Sequence, residues 1–242
     1  MSGHGIVGIH EGGVAHLTID RAEQKNTLGP DQFAALLDLV RAADANDDVR
    51  VVLLTAAGKH FSTGADTRAK WPVAEAAIVE EGHAERQALM QCSKPVVVAA
   101  QGAIIGAGAE LALTADIILM GEGAFFSFPE MRMNTLTLAG TIGRLVSLVG
   151  RFAAAEIVAS GRKVGADEAM RIGLVSRAVA DENLADAAHE LATVLASKPS
   201  ALSADFKALL RDADMANAIE RLDAERAASA RAFSAMMAAM GG

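Results

Sequence analysis

The sequence predicts an α/β fold of repeated strand–strand–helix turns with a helical C-terminal region. Val51-Val52-Leu53-Leu54-Thr55 and Val96-Val97-Val98 are short continuous apolar runs, as in strands buried on both faces. The order strand, glycine loop, helix then recurs, which suggests stacked ββα units. Beyond Asp181 the chain turns to Ala-rich segments with helical spacing, and no linker or low-complexity break divides it.

Taken in order, Ile6 to His10 and Val14 to Ile19 read as a β-hairpin joined through Glu11-Gly12-Gly13. Asp20 to Asn26 is a polar loop. From Pro30, apolar residues at Phe33, Leu36, Leu37, Val40 and Ala43 mark an amphipathic helix with proline in its first turn. The strand at Val51 runs into a loop ending Phe61-Ser62-Thr63-Gly64-Ala65-Asp66, and residues 72–91 read as helical.

Pro95 to Met120 is the organising stretch. A β-branched run breaks at Gly102, Gly106 and Gly108, resumes at helical spacing from Ala109 to Thr114, and ends in the strand Ile117-Ile118-Leu119. Its glycines let backbone approach a ligand, and free N–H groups at a helix start attract anionic oxygen. Ala124 to Ser127 is a further strand. Helices follow over Ala139 to Val149, Phe152 to Ala159 and Ala166 to Ile172, the last stopped by Gly173. Leu174 to Val179 returns as a strand, and Asp181 caps a helix whose Leu184, Leu191 and Leu195 share a face. Ser203 to Arg211 and Met215 to Met240 complete the helical region.

Composition excludes several classes of function. A net charge of −8 without a Lys/Arg cluster does not suit nucleic acid. The central apolar run is long enough to cross a bilayer and contains Gly102-xxx-Gly106, but Gln101, Glu110 and Asp116 would be costly in lipid. A dinucleotide loop needs a further small residue where Leu111 stands. The lone Cys92 and an N-terminus without a basic-then-apolar signal suit a cytoplasmic protein, and no His or Cys spacing suggests a metal. Glu110, a carboxylate in so apolar a run, needs a partner or a job.

Arg21 to Leu28, Phe61-Ser-Thr-Gly-Ala-Asp66, Lys94-Pro95 through Gln101-Gly102 to Gly106-Ala-Gly-Ala-Glu-Leu111, Phe128-Pro-Glu130 and Ala166-Asp-Glu-Ala…Gly173-Leu-Val175 follow one another in register. In order and spacing this set resembles the crotonase superfamily, specifically enoyl-CoA hydratases and isomerases, over nearly the whole chain. The resemblance implies a crotonase-like spiral of ββα units over residues 1–185 and a C-terminal helical region, 186–242, that serves trimerisation. It also implies a trimer or dimer of trimers, an acyl-CoA thioester substrate, and no cofactor beyond the CoA that the substrate carries.

By the same resemblance, the N–H groups of Ala65 and Ala107, after Gly64 and Gly106, form an oxyanion hole. Glu110 activates water for attack at C3 and Glu130 delivers a proton to C2. The CoA moiety lies over Glu23-Gln24-Lys25 and Ala65-Asp66-Thr67, with Lys25, Arg68 or Lys70 for its phosphates, while Pro129 and Leu138 border the acyl group. Two departures stand out. Ala107 replaces a usual glycine, which is tolerable if its φ stays negative. Asn134-Thr-Leu-Thr-Leu138 replaces a Gly-Pro-Gly type of loop, so that Leu138 stands where hydratases place a glycine that helps hold the water. The expected reaction is hydration of a 2-enoyl-CoA, with two alternatives: isomerisation through Glu130, or a catalytically silent CoA-binding homologue.

Overall fold

A computed structural model describes residues 2–71, 84, 86–138 and 140–215. The N-terminal strands are β1 (Ser2–Gly3), β2 (Ile6–Glu11) and β3 (Val14–Ile19), followed by helix α1 (Pro30–Ala45) and β4 (Val51–Ala56). Residues 86–91 are helical and lead to β5 (Val96–Ala100), β6 (Ala103–Ile105), α2 (Ala107–Ala112), β7 (Ile117–Gly121) and β8 (Phe125–Ser127). Then come α3 (Thr141–Ser160), β9 (Val164–Gly165), α4 (Ala166–Arg171), β10 (Arg177–Val179), α5 (Leu184–Ala196) and α6 (Ser200–Met215).

Seven strands form one sheet in the order β1-β2-β3-β4-β5-β7-β10, and β6-β8-β9 form a second. The β2–β3 hairpin is antiparallel, whereas β3 to β4, β4 to β5, β5 to β7 and β7 to β10 pair in parallel. After β5 and again after β7 the chain leaves the large sheet and adds a short strand to the small one, so successive turns stack as a spiral. The side-chain alternation of the central strands explains why they are apolar throughout. Val52, Leu54, Val96 and Val98 point to the main core with Leu36, Phe61 and Leu111. Val51, Leu53, Val97 and Ala99 point to the other face, where Leu184, Ala188 and Ala192 of α5 cover them. Burying each large aliphatic side chain contributes about 1.5–3 kcal/mol.

Several sequence readings are corrected. Ala103–Ile105 is a strand, not part of a loop, because Gly102 at φ +58° redirects the backbone into pairing with β8. The helix after it starts at Ala107, two residues earlier than the apolar spacing suggested. Asp181 does not cap α5; its Oδ1 instead accepts the N–H of Gly123 at 3.1 Å, and no side chain caps that helix. By contrast, the two helices expected around residue 150 are present, divided within the Thr141–Ser160 span by Gly150, whose φ of 78° and ψ of 161° no helix accommodates. α5 straddles the 185/186 boundary and packs against β4, β5 and β7. The expected helix over Met215 to Met240 lies outside the described residues except for Met215, as does most of that over 72–91.

α6 is tied down by a buried lysine. Lys207, 3 % exposed, donates to the carbonyls of Leu89 and Lys94 at 3.1 and 2.9 Å and pairs with Asp116 at 3.0 Å. Asp116 in turn accepts the N–H of Val96 at the start of β5, at 2.7 Å. Among the described residues no helix is long and apolar enough to cross a membrane.

Candidate active site

Three segments meet beside the small sheet. Ser62 bridges Ile104 in parallel, and β6 pairs with β8, so the backbone leaving each of these three segments emerges on the same side. The first emerging segment is stitched at nearly every amide. Thr63 donates to the Lys25 carbonyl, Gly64 to Ser62 Oγ and Asp66 to the Leu28 carbonyl, while Gly64 accepts from Leu28. Ala65 is exposed, and its N–H bonds no acceptor among the described residues. In the second segment Gly106 donates to the Ser127 carbonyl, after which Ala107 opens α2 with an N–H that no preceding turn can satisfy.

Glycine is required at both turns. Gly64 has φ +100°, and a Cβ there would stand 3.1 Å from the Ile105 carbonyl oxygen and 3.7 Å from the Ala107 nitrogen. Gly106 has φ +52°, and its Cβ would meet Glu130 Oε1 at 3.0 Å. These distances bring Gly64, Ala107 and Glu130 around one small space. Ala107 keeps a non-positive φ, which is why its methyl is accommodated.

The carboxyl groups come from α2 and from the 3-10 turn Glu130–Met133 that follows β8. This turn is fixed by Arg132, which donates to the Gly161 carbonyl at 3.0 Å, and by Asn134 in the left-handed region. Glu110 is 4 % exposed and Glu130 8 %. One oxygen of Glu110 lies 2.9 Å from the Arg86 guanidinium and the other accepts the Leu138 N–H at 2.7 Å. Glu130 Oε2 is buried without a hydrogen-bond partner among the described residues.

Electrostatics separate the two. Burial pushes the Glu130 carboxyl up to about 8, and the negative charge of Glu110 pushes in the same direction. Burial also pushes Glu110 upward, opposed by Arg86 and by the Leu138 N–H. Glu110 is raised on balance, but because a guanidinium does not give up its proton, the 2.9 Å contact favours placing the pair's one negative charge on Glu110. Glu130 is then the protonated one at neutral pH.

The remaining expected residues fall into two groups. Glu23 and Gln24 lie in the exposed 3-10 turn Ala22–Gln24, which Lys25 caps in the left-handed region; Thr63 donates to the Lys25 carbonyl, so the two expected CoA loops are neighbours. Thr67 and Lys70 are exposed beside them and Pro129 precedes Glu130. Asp66 is buried and engaged by Arg21 at 3.4 Å and Arg68 at 3.3 Å, so Arg68 is held within its own loop. Backbone and side-chain bonds from Arg68, together with both cations, hold the Asp66 carboxyl below its usual range despite burial. Leu138 contributes its N–H to Glu110 as well as a half-buried side chain. Among the described residues no group of three or more His, Cys, Asp or Glu is placed to hold a metal ion.

Sequence reasoning missed two residues. Arg86, 1 % exposed, is the counter-ion of Glu110; the signal was the unpaired carboxylate itself, which demanded a cation from elsewhere. Asn26, fully buried at φ +55°, accepts from the Arg21 N–H and donates to the carbonyls of Ala57 and His60, clasping two loops together.

A family model described as Enoyl-CoA hydratase/isomerase matches residues 10–241. The chain belongs to this family. Within it, the chain is 31 % identical over 202 residues to the 2,3-dehydroadipyl-CoA hydratase of Escherichia coli (strain K12), covering 83 % of this chain and 79 % of that one. It is 34 % identical over 179 residues to the peroxisomal Delta(3,5)-Delta(2,4)-dienoyl-CoA isomerase of Arabidopsis thaliana, a match that takes in 68 % of this chain and 64 % of that relative's length. A solved enoyl-CoA hydratase/isomerase from Xanthobacter autotrophicus Py2 superposes with a TM-score of 0.89 at 26 % identity, covering 96 % of this chain and 88 % of the other. The architecture of this enoyl-CoA hydratase/isomerase family member is thus the crotonase-like ββα spiral with a helical C-terminal region. Relatives of both reaction types stand at similar identity, so the reaction must be argued from the site.

Proposed function

We propose that this enzyme hydrates a 2-enoyl-CoA thioester. One observation carries the reading: Glu110, 2.9 Å from the Arg86 guanidinium, which favours its charged form, stands beside Glu130, whose buried Oε2 has no partner among the described residues and whose burial favours the protonated form. Hydration needs both at once. Glu110 takes a proton from the water as its oxygen bonds to C3, and Glu130 delivers its own proton to C2. The negative charge that builds on the thioester oxygen is met by the N–H groups of Ala65 and Ala107, which bond no acceptor among the described residues, and this supports that role. Each such donor contributes roughly 3 kcal/mol to the transition state. The exposed turn at Glu23 to Lys25 and the loop at Asp66 to Lys70 receive the CoA moiety.

A second reading, isomerisation of a 3-enoyl-CoA, is favoured by Leu138, whose N–H serves Glu110 rather than a water. It would use Glu130 as the one proton carrier. Glutamine in place of each carboxylate separates the two, with hydration and isomerisation followed in parallel. For a hydratase both Glu110→Gln and Glu130→Gln lose about 10²- to 10⁴-fold in kcat; full hydration by folded Glu110→Gln would sink the two-carboxylate assignment.

We also propose a trimer or dimer of trimers in the cytoplasm. Phe152, 89 % exposed, and Leu202, Phe206 and Leu209 on α6 offer apolar surface for such contacts, and the lone cysteine suits a reducing compartment.

A further inference from the structure

Arg86 is among the largest fully buried side chains of the protein. Among the described residues its guanidinium meets Glu110 at 2.9 Å, the Ala107 carbonyl at 3.5 Å, and the ring of Phe33 in α1, with 5.0 Å from Cζ to the ring centroid. A buried ion pair is weak evidence for a stabilising role, since apolar residues of similar volume often serve the fold as well. The contacts do something else. They fix which oxygen of Glu110 faces the cation, leaving the other to the Leu138 N–H.

We propose that Arg86 is a positioning residue for the reaction, holding Glu110 as a charged carboxylate in one orientation and so assigning it the role of base while Glu130 carries the proton. The inference rests on the two-glutamate hydratase reading. Among the described residues, the groups facing Glu110 are Arg86 from the helical residues 86–91, the Leu138 N–H from the loop before α3, and Glu130 from the 3-10 turn. Removing the cation leaves Glu110 only the Leu138 N–H against burial, so Glu110 takes up a proton. Its charge then no longer acts on Glu130; since that charge raises Glu130 by more than the Arg86 charge lowers it, Glu130 still releases its proton at lower pH.

The test compares Arg86→Gln and Arg86→Lys with the wild type in two ways. Hydration of a 2-enoyl-CoA is measured across pH, and the side-chain carboxyls are titrated by carbon-13 NMR, with Glu110→Gln and Glu130→Gln assigning the signals. In Arg86→Gln, kcat falls by about 10²-fold or more at little change in KM. Its Glu110 step moves up and its Glu130 step moves down, by less than in Glu110→Gln, where Arg86 remains to lower it further. Arg86→Lys, which keeps the charge, holds the Glu130 step near that of the wild type and recovers part of kcat. Should Arg86→Gln not fold, Arg86→Met removes the same cation with an apolar side chain and must move both carboxyl steps in the same directions. Unmoved carboxyl titrations in a folded Arg86→Gln protein, or a displacement in Arg86→Lys as large as in Arg86→Gln, would overturn the proposal. Carboxyl titrations that move as stated in an enzyme that does not hydrate would overturn the hydratase reading and leave the Arg86 assignment standing.

Discussion

Replacing Glu130 with glutamine should stabilise the protein in a manner that depends on pH. An ordinary glutamate ionises near 4.5, whereas burial holds Glu130 protonated up to about 8. The unfolded chain therefore releases this proton first. Below 4.5 both states hold it and the carboxyl makes no difference. Between 4.5 and 8 the unfolded state gains from ionising while the folded state does not, so stability is lost steadily as pH rises through that window. At about 1.36 kcal/mol per unit, the full effect is about 5 kcal/mol, most of it falling between pH 5 and 8.5. Glutamine removes the ionisation and keeps the shape. Urea unfolding of wild type and Glu130→Gln at these two pH values gives the double difference directly. The variant should gain about 4 kcal/mol on the wild type from the lower to the higher pH. A gap between the two proteins that stays constant with pH would refute the burial argument and, with it, Glu130 as the protonated partner.

Hydration kcat/KM should hold through neutral pH and fall as pH rises past about 8, because Glu130 must begin with its proton; an isomerase that begins by abstracting a proton would show the opposite limb. Lys207→Met should cost roughly 3–5 kcal/mol in urea unfolding by leaving Asp116 without its buried cation, and a loss under about 1 kcal/mol would show that α6 is held by other contacts. Light scattering at micromolar concentration should give three or six chains; a monomer would remove the assembly proposal.

Much of the fold was legible because strands buried on both faces leave an unbroken apolar run and α1 leaves a clear stripe. Glu110 was legible for the opposite reason, as a charge in apolar sequence. Its partner was not: Arg86 lies on another helix among glutamates and a histidine, and nothing local separates it from a solvated cation. Asp181 was misread because a cap is a local rule, while its actual partner, Gly123, is brought to it by the packing of α5 on β7. Ala103–Ile105 is too short to announce itself as a strand and exists through its pairing with β8. Whether Leu138 blocks water or binds a catalytic group could not be read from a side chain, since what it supplies is backbone.

The small sheet also works as a spacing gauge. Ser62, Ile104 and Phe126 lie level across adjacent strands. Ala65 and Ala107 each come three residues beyond those level points and Glu130 four. Neighbouring strands are held about 4.8 Å apart by their hydrogen bonds, so the spacing of Ala65, Ala107 and Glu130 is stored in the ladder and not in the side chains themselves. A residue added to any one of the three segments would slide its group by about 3.3 Å and leave the other two in place. An exchange at one slot, such as Ala for Gly at 107, leaves the spacing untouched. Chemistry in such a scaffold can change one position at a time while the geometry that makes it possible is inherited whole.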